Sequence, residues 1–109
     1  MDAKTIETLT TLANTLKARK QADAGESYVA SLYKKGARKI AQKVGEEAVE
    51  TAMAVAADDN DEIVTESADL LFHLMVLLEA RGLSLNEVAA ELARREGLSG
   101  HTEKANRTS

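Results

Sequence analysis

Glu47 and Glu50 stand three residues apart in Gly45-Glu46-Glu47-Ala48-Val49-Glu50, and Glu66 and Asp69 repeat that spacing in Glu66-Ser67-Ala68-Asp69. An α-helix advances about 100° per residue, so each pair shares one helix face. Two facing helices would aim all these carboxylates at one point. Acids that close repel and raise each other's pKa unless a cation lies between them. An oxygen-only donor set selects a hard cation such as Mg²⁺, with Mn²⁺ as a substitute. The expectation is a divalent-cation site formed by Glu47, Glu50, Glu66 and Asp69; the structural alternative is burial in salt bridges to Lys39 or Lys43.

A single Glu-x-x-Glu is common on solvated helices, so the weight falls on the second pair. Leu70, Leu71, Phe72, Leu74, Met75, Val76, Leu77 and Leu78 follow it and leave that helix almost no other polar group. His73 comes one turn after Asp69. Its expected place is outside the ligand set, hydrogen-bonded to a ligand carboxylate, because imidazole is rare among the ligands of an oxygen-rich Mg²⁺ site. A direct ligand and a satisfied core histidine are the alternatives. Lys34, Lys35, Arg38, Lys39 and Lys43 form a basic stretch just before the first acidic motif. Beside a cation site such a strip suits a polyphosphate, and Lys39 and Lys43, on the side of Glu46 and Glu50, are the ones expected to reach phosphate oxygens. A solvated face is the plainer reading. With no glycine-rich phosphate loop and no serine or cysteine nucleophile motif, the chemistry left open is attack by an activated water on a phosphoanhydride.

The elements that must position these groups are helices. The chain has 109 residues, 44% of them apolar, 3% aromatic and none proline, which favours a single all-α domain of about four to five helices around one core. Asp2 is placed to cap a first helix with the stripe Ile6, Leu9, Ala13 and Leu16 within residues 1–24. Ala24-Gly25-Glu26-Ser27 reads as a turn. Helical spacing then runs from Tyr28 to about Ala57 with a break at Gly36. Its inner stripe is Ile40, Val44, Ala48, Thr51 and Val55, with Glu47 about 20° from Ile40 on the wheel and so partly buried. Asp58 to Glu62 reads as a surface loop. The next helix, from about Asp61 to Ala80, is apolar all round in its second half and is expected to be buried all round by a second subunit, in a two-fold dimer. Gly82 ends it, Ser84 and Glu87 have capping-box spacing for a last helix with the stripe Leu85, Val88, Ala89 and Leu92, and 97–109 is a mobile tail by composition.

Composition also narrows the partners. A net charge of −4 and a pI near 5.2 argue against nucleic acid. Without cysteine there is no disulfide framework and no thiolate zinc site. The N-terminus has no signal-peptide pattern, and the longest apolar run, Leu70 to Leu78, falls far short of the ~20 residues of a membrane span. A cytoplasmic chain is expected.

Ser27-Tyr28-Val29-Ala30-Ser31-Leu32 leading to Gly36, then Lys39-Ile40-Ala41-Gln42-Lys43-Val44-Gly45-Glu46-Glu47-Ala48-Val49-Glu50, then Glu66-Ser67-Ala68-Asp69-Leu70-Leu71-Phe72-His73-Leu74 closely resemble the phosphoribosyl-ATP pyrophosphatases of histidine biosynthesis. These belong to the all-α MazG-type nucleotide pyrophosphatases. The resemblance covers about residues 26 to 107 by motif order; the first 25 residues match poorly, and Val29 stands where threonine is common. It implies Mg²⁺-dependent hydrolysis of 1-(5-phosphoribosyl)-ATP to 1-(5-phosphoribosyl)-AMP and pyrophosphate, by cleavage between the α and β phosphates. Glu47, Glu50, Glu66 and Asp69 match the metal ligands, and Glu46 and Glu47 are the acids at the reaction itself, Glu46 binding a further ion or orienting water. Two other functions remain open: a house-cleaning pyrophosphatase of ordinary or damaged nucleotides, and a non-catalytic helical dimerisation module.

Overall fold

Each helix but one begins where a short polar side chain accepts a main-chain N–H, the bond that satisfies one of the donors a helix start leaves unpaired. Asp2 accepts from Thr5 at 2.8 Å, Ser27 from Ala30 at 3.2 Å, Asp59 from Glu62 at 3.1 Å and Ser84 from Asn86 at 3.1 Å, while Glu87 returns to the Ser84 N–H at 3.1 Å. The helices so defined are α1 (Ala3–Ala18), α2 (Tyr28–Lys35), α3 (Ala37–Ala56), α4 (Asn60–Ala80) and α5 (Leu85–Arg95), with a 3-10 turn at Arg19–Gln21. The structure, a computed structural model, describes residues 1–96, and contains no strand among them. The tail expected at 97–109 lies outside the described residues. The all-α expectation holds.

The exception is α3, which starts at Gly36 without a side-chain cap. Gly36 has φ +96° and ψ 164°, a combination open to glycine and essentially closed to other residues. It ends α2 and turns the chain directly into α3, which is the break expected there. Between α3 and α4 only Ala57, Asp58 and Asp59 intervene, so the two helices fold back as an antiparallel hairpin. Asp58 takes φ +59°, and its N–H and that of Asp59 bond back to the Val55 and Ala54 carbonyls at 3.0 and 3.1 Å. That is a Schellman ending. The end of α4 repeats it with Gly82 at φ +73° and the N–H of Leu83 on the Leu78 carbonyl at 2.8 Å. The acidic run Asp58 to Glu62 is therefore not a loop throughout. Once Asp59 caps, Asn60, Asp61 and Glu62 are helical, with the acids at the positive end of the dipole.

The core takes one fully buried large side chain from each of four helices: Leu16, Leu32, Ile40 and Val76. Each such burial is worth about 1.5–3 kcal/mol. Tyr33 adds a polar tie, its hydroxyl donating at 2.8 Å to the Leu16 carbonyl near the end of α1.

Three expected stripes are corrected. On α3, Ile40 is buried and Val44 and Thr51 half-buried, but Ala48 and Val55 are exposed, and Ala54 is buried instead. The covered strip drifts toward Glu47 because α4 crosses there. On α1, Ile6 is exposed, and on α5 so are Val88, Ala89 and Leu92. On α4, His73, Met75 and Val76 are buried within the single chain while Leu71 and Val64 are exposed. The chain's own helices thus cover more of α4 than its all-round apolar character suggested, and leave one flank open.

Candidate active site

The α3–α4 hairpin decides which acids meet. Its antiparallel register sets Glu50 of α3 against Glu66 of α4, and Glu47, one turn earlier on α3, against His73, nearly two turns later on α4. The Glu66 carboxyl is pushed up to about 7, first by its hydrogen bond with Glu50, then by loss of solvent around it, then by the charges of Glu50, Asp69 and Glu62. Crowded carboxyls hold their protons more tightly unless a positive charge lies between them. Glu50, Glu62 and Glu66, with Asp59, Met53, Ala54 and Ala57, line an open pocket of about 300 Å³.

Glu47 is largely buried, its side chain 14% exposed. Its Oε1 lies 2.6 Å from His73 Nδ1 but off the N–H axis, since the Nδ1 hydrogen is directed at the Asp69 carbonyl 3.0 Å away. Glu47 Oε1 therefore has no hydrogen-bond partner, and neither does Glu66 Oε2; both are buried. Nε2 of His73 lies 2.9 Å from the Tyr28 hydroxyl. Tyr28 stacks on Phe72 at 6.4 Å, and His73 meets Phe72 edge-on at 5.1 Å.

Glu46 is exposed and accepts from Gln42 Nε2 at 2.8 Å, and Gln42 accepts from Lys39 Nζ at 3.4 Å. This ladder runs along the solvent side of α3, one turn before Glu50. Lys43 is half-buried. Among the described residues no ion pair joins Lys39 or Lys43 to Glu47, Glu50, Glu66 or Asp69. The salt-bridge alternative has no support.

Glu47, Glu50 and Glu66 are thus brought onto one helix–helix seam in two facing contacts, not one convergent cluster, while Asp69 is exposed and reaches the site through its charge beside Glu66. Among the described residues no three Asp, Glu or His side chains are close enough together to hold an ion as they stand. The donor set nonetheless fits a divalent cation. Two buried carboxylate oxygens lack donors, which costs free energy unless something positive meets them, and the charges of Glu50, Asp69 and Glu62 beside Glu66 add to that cost. Sequence reasoning missed two neighbours. Glu62, read as loop, lies one turn before Glu66 and faces the same pocket; its signal was the four-residue spacing. Tyr28 gave no signal of its own, since its reach to His73 spans 45 residues.

Comparison with known proteins gives a consistent answer. The profile of the phosphoribosyl-ATP pyrophosphohydrolase family matches residues 9–96. Two relatives, each called phosphoribosyl-ATP pyrophosphatase, are similar along nearly their whole length. The one from Azorhizobium caulinodans is 58% identical over 100 residues, 92% of this chain and 92% of its own. The one from Erythrobacter litoralis is 57% identical over 102 residues, 94% of this chain and 98% of its own. The match takes in α1 from Leu9 onward, so the expectation that the first 25 residues stand apart is corrected.

Proposed function

The chain belongs to the phosphoribosyl-ATP pyrophosphohydrolase family, and from that premise we propose that it hydrolyses 1-(5-phosphoribosyl)-ATP to 1-(5-phosphoribosyl)-AMP and pyrophosphate on the α3–α4 seam. Water attacks, the anhydride between the α and β phosphates breaks, and pyrophosphate carries away the electron pair. The observation that carries the reading is the pair of buried, unpartnered carboxylate oxygens on Glu47 and Glu66.

Glu47, Glu50, Glu66 and Asp69 would hold Mg²⁺, or Mn²⁺ in its place. Bound there, the ion would neutralise charge on the splitting polyphosphate and acidify water. The chain's own groups do the rest. Glu46, exposed one turn from Glu50, would orient water or accept its proton. Lys39 and Lys43 lie along the same side of α3 and offer charge to phosphate oxygens, Lys39 by leaving its long 3.4 Å contact with Gln42. His73 holds Glu47 in place.

Two copies pair, in this reading, across the open flank of the hairpin. Val49 and Met53 on α3 and Val64 and Leu71 on α4 are exposed large apolar residues, from 37% for Leu71 to 69% for Val64. Exposed apolar side chains of this kind are what an interface buries, and Met53 also lines the acidic pocket. Among the described residues no helix is long and apolar enough to cross a membrane.

The test is pyrophosphate release from phosphoribosyl-ATP, dUTP and dCTP by the full chain, with Mg²⁺ and with chelator. Phosphoribosyl-ATP should be preferred, and Glu50→Gln and Asp69→Asn should abolish turnover while the helical spectrum stays intact. Equal rates in both variants would remove the ligand assignment; preference for a simple nucleotide would remove the substrate. A sedimentation mass of one chain at micromolar concentration would remove the dimer.

A further inference from the structure

We propose that Tyr28 is a positioning residue for Glu47, acting through His73; this rests on the metal-site reading above. The carbonyl of Asp69 can only accept, so the hydrogen of the His73 ring sits on Nδ1, 3.0 Å away. A ring with one N–H then offers a lone pair at Nε2, and the Tyr28 hydroxyl at 2.9 Å must donate to it. Both ring nitrogens are engaged, one by α4's own backbone and one by the first residue of α2.

The consequence falls on Glu47. Its Oε1 lies 2.6 Å from the hydrogen-bearing Nδ1, a contact that is attractive only in this tautomer. With the hydrogen on Nε2, the Nδ1 lone pair would face the Asp69 carbonyl and the Glu47 carboxylate together, and the carboxylate would swing away. Tyr28 prevents that by supplying a donor where the other tautomer needs an acceptor. Ser27 caps α2 through the Ala30 N–H at 3.2 Å, and the stack of Tyr28 on Phe72 at 6.4 Å holds the ring against α4. Tyr28 is itself 52% exposed, so the hydroxyl is not needed to fill the core. Tyr28→Phe removes the donor and keeps the stack.

The experiment uses the full chain carrying His101→Gln, which leaves His73 as its one histidine, with and without Tyr28→Phe. Nitrogen chemical shifts of labelled His73 read the tautomer, and calorimetric titration with Mn²⁺ alone reads the site. The expected result is Nδ1–H in the parent, a mixture of tautomers in Tyr28→Phe, and Mn²⁺ affinity lower by about tenfold, the lower end of what outer hydrogen-bond partners of metal ligands contribute. An Nε2–H ring in the parent overturns the inference whether or not the variant folds. If the parent binds Mn²⁺ and Tyr28→Phe binds it within about twofold, the cation site stands and the role of Tyr28 falls. If the parent binds no Mn²⁺, the cation site fails and this inference with it.

Discussion

Glu47→Gln separates a carboxylate kept for a cation from one kept for the fold. In the structure Glu47 is largely buried, its Oε1 has no aligned donor, and its nearest neighbour is His73 Nδ1 at 2.6 Å. An orphaned buried acceptor costs about 1–3 kcal/mol. Removing the charge while keeping the shape should therefore leave the metal-free protein within about 1 kcal/mol of the parent, or make it more stable. If the contact with His73 were instead an ion pair holding the helices together, breaking it should cost about 3–5 kcal/mol. The two accounts differ again when cation is added. At a hundredfold excess over its dissociation constant, a bound ion stabilises the parent by about 2.7 kcal/mol. For a domain of this size that raises the unfolding midpoint by about 10–20 °C. Glu47→Gln should lose most of that rise. The assay is thermal unfolding by far-ultraviolet circular dichroism, in chelator and in Mg²⁺ or Mn²⁺. A variant that unfolds several kcal/mol early in chelator, beside a parent that gains nothing from either ion, would refute the reasoning.

Gly36→Ala should destabilise by about 1–3 kcal/mol in urea unfolding, although nothing lies within 4 Å of the added methyl; an unchanged midpoint would mean that φ +96° is not required there. Asp58→Gly should stabilise by up to about 1 kcal/mol, because Asp58 occupies at φ +59° the position that Gly82 fills at the end of α4, and left-handed backbone penalises a side chain. Tyr33 tests the alkaline side. Burial, and then the charge of Glu79, push its hydroxyl up to about 12 from 10.0, so the folded state keeps a proton that the unfolded chain releases. The stabilisation is complete below pH 10.0, declines as pH rises and is lost by about 12. Tyr33→Phe should flatten that decline in denaturant midpoints measured across the window, and should lose about 1 kcal/mol at neutral pH with the Leu16 bond.

Local physics made much of this molecule legible in one dimension. Asp2 and Ser84 cap where capping chemistry placed them, Gly36 and Gly82 break where their backbone freedom is needed, and the paired acids share helix faces because three residues nearly complete a turn. Glu47 is mostly buried, as its place beside Ile40 on the wheel required. The motif order pointed to the family, though it placed the start of the resemblance too late.

Tertiary structure alone decided the rest, because periodicity defines a face without saying what covers it. Ala54, not Ala48 or Val55, went inside α3, and Leu71 stayed at the surface of a helix that read as apolar all round. The contacts that matter most for chemistry, Glu50 with Glu66, Glu47 with His73 and Tyr28 with His73, depend on the register of one hairpin and the angle of α2. That register follows from where the Asp58 turn closes and how four helices fill a shared core, and a sum over the whole chain is not written in any single stretch of it.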